Sequence, residues 1–385
     1  MNNVRPHINH NILLWARERV NYSPEKLAKR AGVSIERYLE WEQGETRPTF
    51  RQLNIVAKAL GRSTSFFYLK EPPQESEPRL EMRRVYGSNP KEDSRNFALE
   101  VQDMLQRRNV TIELYERLNE TVSKIPLEFQ LTDSPEEAAQ KTRKWLGVSF
   151  EEQLRWDGKY VALKAWRKAL EANGILPFQI SGIPIEEVRG FAINYRPIPI
   201  VAFNSNDSVT ARIFTLMHEL GHILLGESVL HERSPFESES EIEQWCNRFS
   251  AAVLMPEKLV VKLTDHSALL NTHVWQKEQV ESLSRKLWVS PSAMVRRLST
   301  MRLISEENFE SLKQIFDRYR SAEKSSGGSH YNNVLAKLGT LLPALAFQGF
   351  YSGELNARDL SKIMGTSVQK MGKMEEKVMG ANYAF

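Results

Sequence analysis

Four short amphipathic segments open the chain, each with apolar residues at helical spacing. They cover residues 11–20, 23–32, 34–44 and 49–61. Ser23 followed by Pro24 is typical of a helix start, and Gly32, Gly44 and Gly61 each stand where a segment ends. Short helices joined by tight turns predict a helix-turn-helix bundle over residues 1–70.

Helical periodicity dominates the rest of the chain, and one short region has β-character. The polar, proline-rich stretch 71–79 predicts a linker, and residues 80–180 predict helices. Residues 188–204 predict two short strands, whose prolines favour sheet edges. Pro256 ends a helix predicted over 242–255. We therefore expect a multidomain, mainly α protein with a small β-sheet.

Composition shifts place the domain boundaries. The predicted divisions are a helix-turn-helix domain (1–70), a linker (71–79), a helical region with an α+β core (80–256), a helical region with a second helix-turn-helix rhythm (257–324), a Gly/Ser linker (325–330) and a small helical domain (331–385). The role of the last domain does not follow from its sequence.

The apolar segment FTLMHELGHILLG (214–226) contains two histidines and a glutamate in the middle of a predicted helix. His218 and His222 are four residues apart, so both imidazoles project from one face and can bind one metal ion. Burying these groups without a metal is costly. Glu219 stands beside the first histidine, where a carboxylate can take a proton from water activated by zinc. The pattern predicts Zn²⁺ as the cofactor and Glu219 as the general base.

A catalytic zinc has three protein ligands, so a third is required. The downstream candidates are His231, Glu237, Glu239, Glu241 and Glu243. We favour Glu243, because it stands at the start of a predicted helix, which would hold its carboxylate rigidly. The core-facing stripe of that helix includes Cys246, and Glu243 lies on an adjacent face. Asn247 stands one turn after Glu243 and can orient the site through a hydrogen bond.

FTLMHELGHILLG followed by EQWCNRFSAAVLMP resembles the ImmA/IrrE metallopeptidase family. The resemblance implies a gluzincin-like (thermolysin-like) fold with His218, His222 and Glu243 as zinc ligands. It further implies limited proteolysis of a regulatory protein, with the strand IPIVAFN (198–204) offering its edge to an extended substrate. Arg212 stands where that family has an arginine, whereas Cys246 replaces a small residue. His231 is a candidate transition-state stabiliser, although a surface loop position suits it better.

Charge is unevenly distributed. Residues 1–70 carry twelve Lys/Arg against six Glu, and since the whole chain has a net charge of +4, the remainder carries −2. The segment VSIERYLEWEQGETRPTFRQLNIVAKALG (33–61) resembles the Xre/Cro-type helix-turn-helix family over residues 11–69. The resemblance implies that Arg17 and Glu42 form an internal ion pair. An anionic partner, double-stranded DNA first, is therefore expected.

The predicted recognition helix departs from that of most DNA readers, because it presents Glu36 and Glu40, which repel phosphate. The expected DNA-contacting residues are Lys26, Lys29, Arg30, Arg37, Arg47 and Arg51. The alternative is a bundle used for dimerisation or for holding a partner protein.

The single cysteine excludes a disulfide framework within one chain, and the N-terminus lacks a signal-peptide pattern. The apolar stretch 338–347 is too short for a membrane span. We expect a cytoplasmic protein with a repressor or toxin as protein partner, and a second copy of the chain as another candidate. Two functions remain open: a zinc endopeptidase fused to a transcription regulator, and a non-catalytic regulator or antitoxin that uses the peptidase fold as a scaffold.

Overall fold

The computed structural model describes residues 5–73, 81–83, 95–226, 240–264, 273–318 and 330–383. The chain divides into two compact units, one of residues 1–78 and 89–106, the other of residues 79–88 and 107–385. The boundaries expected from composition remain predictions.

The first unit is a helical bundle, as predicted. Its helices are α1 (His10–Arg19), α2 (Pro24–Ala31), α3 (Ile35–Gln43) and α4 (Phe50–Ala59), followed by a short 3₁₀ helix (Thr64–Tyr68). Side chains of Ser23, Ser34 and Thr49 accept hydrogen bonds from the first turns of α2, α3 and α4. Leu27, Tyr38 and their neighbours form a closed apolar core within this unit.

The predicted ion pair of the bundle is present. Arg17 Nε donates to Glu42 Oε1 at 2.7 Å, and Arg17 Nη2 donates to Glu42 Oε2 at 3.1 Å. The Tyr38 hydroxyl also donates to Glu42 Oε1, at 2.8 Å. This bidentate pair joins α1 to the end of α3. Because Glu42 is buried, we assign the pair a structural role.

Helix α5 (Arg95–Arg117) runs from the first unit into the second. The remaining helices belong to the second unit: α6 (Pro135–Leu146), α7 (Phe150–Arg155), α8 (Lys159–Ala172), α9 (Val209–Leu224), α10 (Ser240–Leu254), α11 (Glu257–Leu263), α12 (Lys277–Leu287), α13 (Pro291–Thr300), α14 (Glu306–Arg318), α15 (His330–Leu338), α16 (Leu341–Tyr351), α17 (Ala357–Met364) and α18 (Met371–Tyr383). The predicted mainly α architecture with a small sheet is thus confirmed.

A four-stranded sheet lies in the second unit, in the order β1-β3-β4-β2. Its strands are β1 (Glu81–Arg83), β2 (Leu176–Ile180), β3 (Gly190–Ile193) and β4 (Ile200–Asn204). β2 runs parallel to β4, whereas β3 is antiparallel to both β4 and β1. The core of this unit lies mainly between the sheet and helices α6, α8, α9 and α10.

The sequence-based expectation for the sheet was incomplete. β3 and β4 fall within the predicted region, but β1 and β2 lie where only linker or helix was expected. The expectation of edge strands was wrong for β4, which is hydrogen-bonded on both sides, so the strand at 198–204 has no free edge for a substrate. Pro197 and Pro199 precede β4 and therefore cost the sheet no hydrogen bond.

The C-terminal helices pack onto the second half of α5 and form a separate apolar cluster around Leu342, Phe347 and Met374. Glu171 on α8 anchors them, since its carboxylate accepts a hydrogen bond from Thr340 N at 2.8 Å and another from the Thr340 hydroxyl. Among the described residues, no single helix is long and apolar enough to cross a bilayer. Helices α15 and α16 pass that length and composition test only as a pair bent by 100°.

Candidate metal centre

Helix α9 carries the HELGH residues through the interior of the second unit. Ser208 caps its start, and nearly every residue from Val209 to Leu224 is buried. His218 and Glu219 have 0% exposure, and His222 has 3%. Three polar side chains in so apolar an element need partners, and a metal ion is one way to supply them.

Gly221 allows the second helix of the site to approach α9 closely. A β-carbon at this position would lie 3.1 Å from Cys246 Sγ and 3.2 Å from Phe249 Cδ1, both on α10. Cys246, which departs from the family pattern, is buried at this contact. The glycine within HELGH is thus explained by helix packing.

Helix α10 brings Glu243 to the two histidines. Glu243 Oε2 lies 3.1 Å from His218 Nε2, and Glu243 Oε1 lies 3.2 Å from His222 Nε2. The two Nε2 atoms are 3.2 Å apart. The three ligand atoms therefore converge on one point, within the 4.8 Å separation that a shared metal ion allows.

These spacings fit a tetrahedral zinc site. Ligand atoms about 2.0–2.1 Å from zinc at tetrahedral angles lie about 3.3–3.4 Å from one another. Two imidazole nitrogens and one carboxylate, with the fourth position left to water or substrate, match the donor set of catalytic zinc. The donor chemistry and the separations of these three residues therefore fit the ion.

Asn247 contacts the first histidine. Its Oδ1 lies 3.1 Å from His218 Nδ1, and because an amide oxygen can only accept, Nδ1–H donates. In the neutral histidine, that tautomer leaves the Nε2 lone pair available to a metal ion. The hydrogen bond that the predicted orienting role of Asn247 requires is therefore present.

The Glu243 carboxyl is held in its charged form. Burial alone would raise its pKa, but the hydrogen-bonding and coulombic interactions of its carboxylate with His218 and His222 outweigh burial and hold the pKa well below its usual range. An ionised carboxylate is the form that binds a metal.

Glu219 lies between α9 and the sheet. A β-carbon at Gly190 on β3 would lie 3.2 Å from Glu219 Oε1 and 2.7 Å from the Ala202 carbonyl oxygen, and would overlap Thr215 Cγ2. The absence of a side chain at Gly190 therefore makes room for the candidate base. The sequence did not single out Gly190, because the atoms that leave no room for a side chain there belong to residues distant along the chain, Ala202 and Thr215.

Other candidates are placed less centrally or cannot be assessed. His231, Glu237 and Glu239 lie outside the described residues. Glu241 is exposed on the first turn of α10. Arg212 donates from Nε to the Asp207 carbonyl at 2.7 Å and from Nη2 to the Ser205 carbonyl, so it ties the β4–α9 connection rather than lining the site.

The expected DNA-contacting side chains lie on the first unit with different surroundings. Those of Lys26, Lys29, Arg30, Arg47 and Arg51 are exposed. Arg37 is half-buried, and its Nη1 donates to Glu40 Oε2 at 2.6 Å. That carboxylate neutralises much of the Arg37 charge at the start of α3, while Arg47 contacts His7.

Two family models match the chain. Residues 179–299 match a peptidase family described as the IrrE N-terminal-like domain, and residues 13–67 match a family described as helix-turn-helix. No curated protein matches the chain. The first match contains α9 and α10, and the second contains most of α1 and all of α2 to α4. The chain therefore joins a helix-turn-helix domain of the Xre-like, DNA-binding type to a peptidase domain of the IrrE/ImmA type.

Proposed function

We propose that the chain is a zinc-dependent endopeptidase fused to a transcription regulator, and that it makes limited cuts in a regulatory protein such as a repressor. The observation that carries the proposal is the convergence of His218, His222 and Glu243 beside a buried glutamate. Each histidine Nε2 has one Glu243 carboxylate oxygen at 3.1–3.2 Å, and the two nitrogens lie 3.2 Å apart. The match to a peptidase family over the same residues supports it.

In this proposal each residue has a distinct task. His218, His222 and Glu243 hold zinc, which when bound supplies Lewis-acid activation of water and of the scissile carbonyl. Glu219 accepts a proton from the attacking water and returns it to the leaving amine as the carbon–nitrogen bond breaks. Asn247 keeps His218 in the tautomer that coordinates.

Replacing Glu243 tests the metal site directly. We expect about one zinc per wild-type chain by elemental analysis. Glu243→Ala removes one of three ligands, so zinc retained through buffer exchange should fall at least tenfold, to less than about 0.1 per chain. Glu241→Ala is the matched control, because Glu241 is exposed two residues earlier on the same helix.

The zinc contents of the two variants decide whether Glu243 is a ligand. Zinc lost from Glu243→Ala but kept in Glu241→Ala supports the three-ligand site. Zinc kept equally in both variants would exclude Glu243 as a ligand. A folded wild type without zinc, even after incubation with the metal, would contradict the peptidase proposal itself.

The helix-turn-helix match favours a second activity, DNA binding by the first unit. We propose that exposed cations, among them Lys29 and Arg51, contact the phosphate backbone and position the bundle on a duplex. With Arg37 paired to Glu40, most of the binding free energy comes from backbone contacts, so strong salt dependence is expected.

Fluorescence anisotropy measures this salt dependence. The first unit is titrated, within the full chain, against a duplex from the promoter of its own gene at several salt concentrations. Arg51→Ala should weaken binding to promoter and random duplexes alike and reduce the salt slope by about one. Lys58→Ala, on an exposed position near the other end of α4, should leave the slope unchanged. Equal slopes for both variants would exclude Arg51 as a phosphate contact.

A further inference from the structure

Strand β1 lies outside the matched peptidase domain and yet completes its sheet. The strand comprises three residues, Glu81–Arg83, and the peptidase match begins at residue 179. Strands β2, β3 and β4 all come from residues 176–204. β1 is therefore contributed by the segment that leads from the helix-turn-helix region into α5.

The pairing of β1 is antiparallel and in register with β3. Glu81 stands opposite Ala192, Met82 opposite Phe191 and Arg83 opposite Gly190. Such pairing depends on backbone hydrogen bonds and hence tolerates many sequences. An extended peptide from another protein could add to the same edge in the same way.

This edge is the one beside the candidate base. Gly190 is the position at which a β-carbon would come within 3.2 Å of Glu219 Oε1, and Arg83 is its partner across the ladder. β1 also lies alongside α9, which carries the HELGH residues. On the other side of β3, the ladder with β4 is already complete. An extended peptide that pairs with β3 beside Glu219 would take the position that β1 occupies.

We infer that residues 81–83 occupy the substrate-strand position of the peptidase site and compete with substrate for the β3 edge. This inference rests on the proposed function. It implies that the substrate is an extended segment able to pair antiparallel with β3. Because the competitor is part of the same chain, its effective concentration is of the order of millimolar, whereas a three-residue strand supplies few hydrogen bonds. A suitable substrate can therefore displace it.

Proline substitution breaks the pairing without depending on side-chain contacts. Backbone N–H groups along an antiparallel strand alternate in direction, so one of two adjacent positions donates to β3. Met82→Pro/Arg83→Pro therefore removes at least one ladder hydrogen bond. Met82→Ala/Arg83→Ala keeps both N–H groups and is the matched control. The single proline variants replace the double variant if it fails to fold.

Amide hydrogen exchange of the full chain measures whether β1 protects the amides of the β3 edge. In the proline variant, we expect the amides within 190–193 that face β1 to exchange at least tenfold faster, while those facing β4 remain protected. The alanine variant should match wild type. Unchanged exchange in a folded proline variant would overturn the inference.

Calorimetry with an extended peptide hydroxamate and the zinc-loaded chains tests whether residues 81–83 compete with a substrate-like ligand. We expect at least tenfold tighter binding to the proline variant than to wild type or the alanine variant. Equal affinities would overturn the competition. If the exchange changes as expected but no variant binds zinc or the hydroxamate, the peptidase proposal fails while the occupancy of the edge stands.

Discussion

Glu219→Gln is expected to lower proteolysis by about 10³-fold while zinc stays bound. Glu219 is fully buried, but glutamine has nearly the same volume as glutamate, so the fold should tolerate the change. The amide cannot accept a proton from water at neutral pH, which removes general-base catalysis. The ligands His218, His222 and Glu243 are untouched, so the zinc content should equal that of wild type.

The measurement compares new protein N-termini in cells that produce wild type, Glu219→Gln, or the control Glu241→Gln. Peptides present with wild type and the control, and absent with Glu219→Gln, identify the substrate and its cleavage site. The scaffold alternative makes the opposite prediction, because a partner-binding fold keeps its regulatory effect when Glu219 is changed. A regulatory effect that persists in Glu219→Gln with zinc bound would therefore favour the non-catalytic regulator or antitoxin.

Gly190→Ala is expected to reduce the free energy of unfolding of the second unit by about 3 kcal/mol. The added β-carbon would lie 2.7 Å from the Ala202 carbonyl oxygen and would overlap Thr215 Cγ2, so β3 or α9 must shift. Backbone in a sheet cannot yield as a flexible side chain does, which makes this overlap costly. The same shift moves Glu219, since its carboxylate lies 3.2 Å from the new carbon.

Urea denaturation of the two proteins measures the loss. Gly158→Ala is the control, because Gly158 precedes α8 in the same unit and its nearest neighbour to an added β-carbon is 3.9 Å away. That variant should lose at most about 1 kcal/mol, because Gly158 is the N-cap of α8 and alanine caps a helix less well than glycine. If Gly190→Ala matched Gly158→Ala in stability, the close packing between β3 and α9 would be wrong.

Local signals were sufficient for the helix-turn-helix bundle. Cap residues, left-handed glycines and apolar periodicity act within a few residues of each other, so the four helices follow from the sequence with bounds within one or two residues. The Arg17–Glu42 pair was predictable only through family resemblance, because the two residues are 25 positions apart and other charges compete for each.

The sheet was predicted less well, and its errors share one cause. LPFQI (176–180) is only five residues long and contains a proline, so its alternation of Leu, Phe and Ile with Pro and Gln is too short to distinguish a strand from the helical pattern before it. Its strand character comes from pairing with β4. β1 is shorter still, and its partner is more than 100 residues away. Pairing across such distances is a property of the folded chain.

The sequence by itself determined the chemistry of the candidate centre. Helical spacing places His218 and His222 on one face, and the apolar residues around them make burial of an uncompensated pair unfavourable. It also determined the order of the two domains. Tertiary structure alone decided which carboxylate meets the histidines, that Gly190 leaves space for Glu219, and that residues 81–83 fill the neighbouring edge. The physical reason is range: helix periodicity and capping are short-range, whereas strand pairing and helix packing depend on contacts between distant parts of the chain.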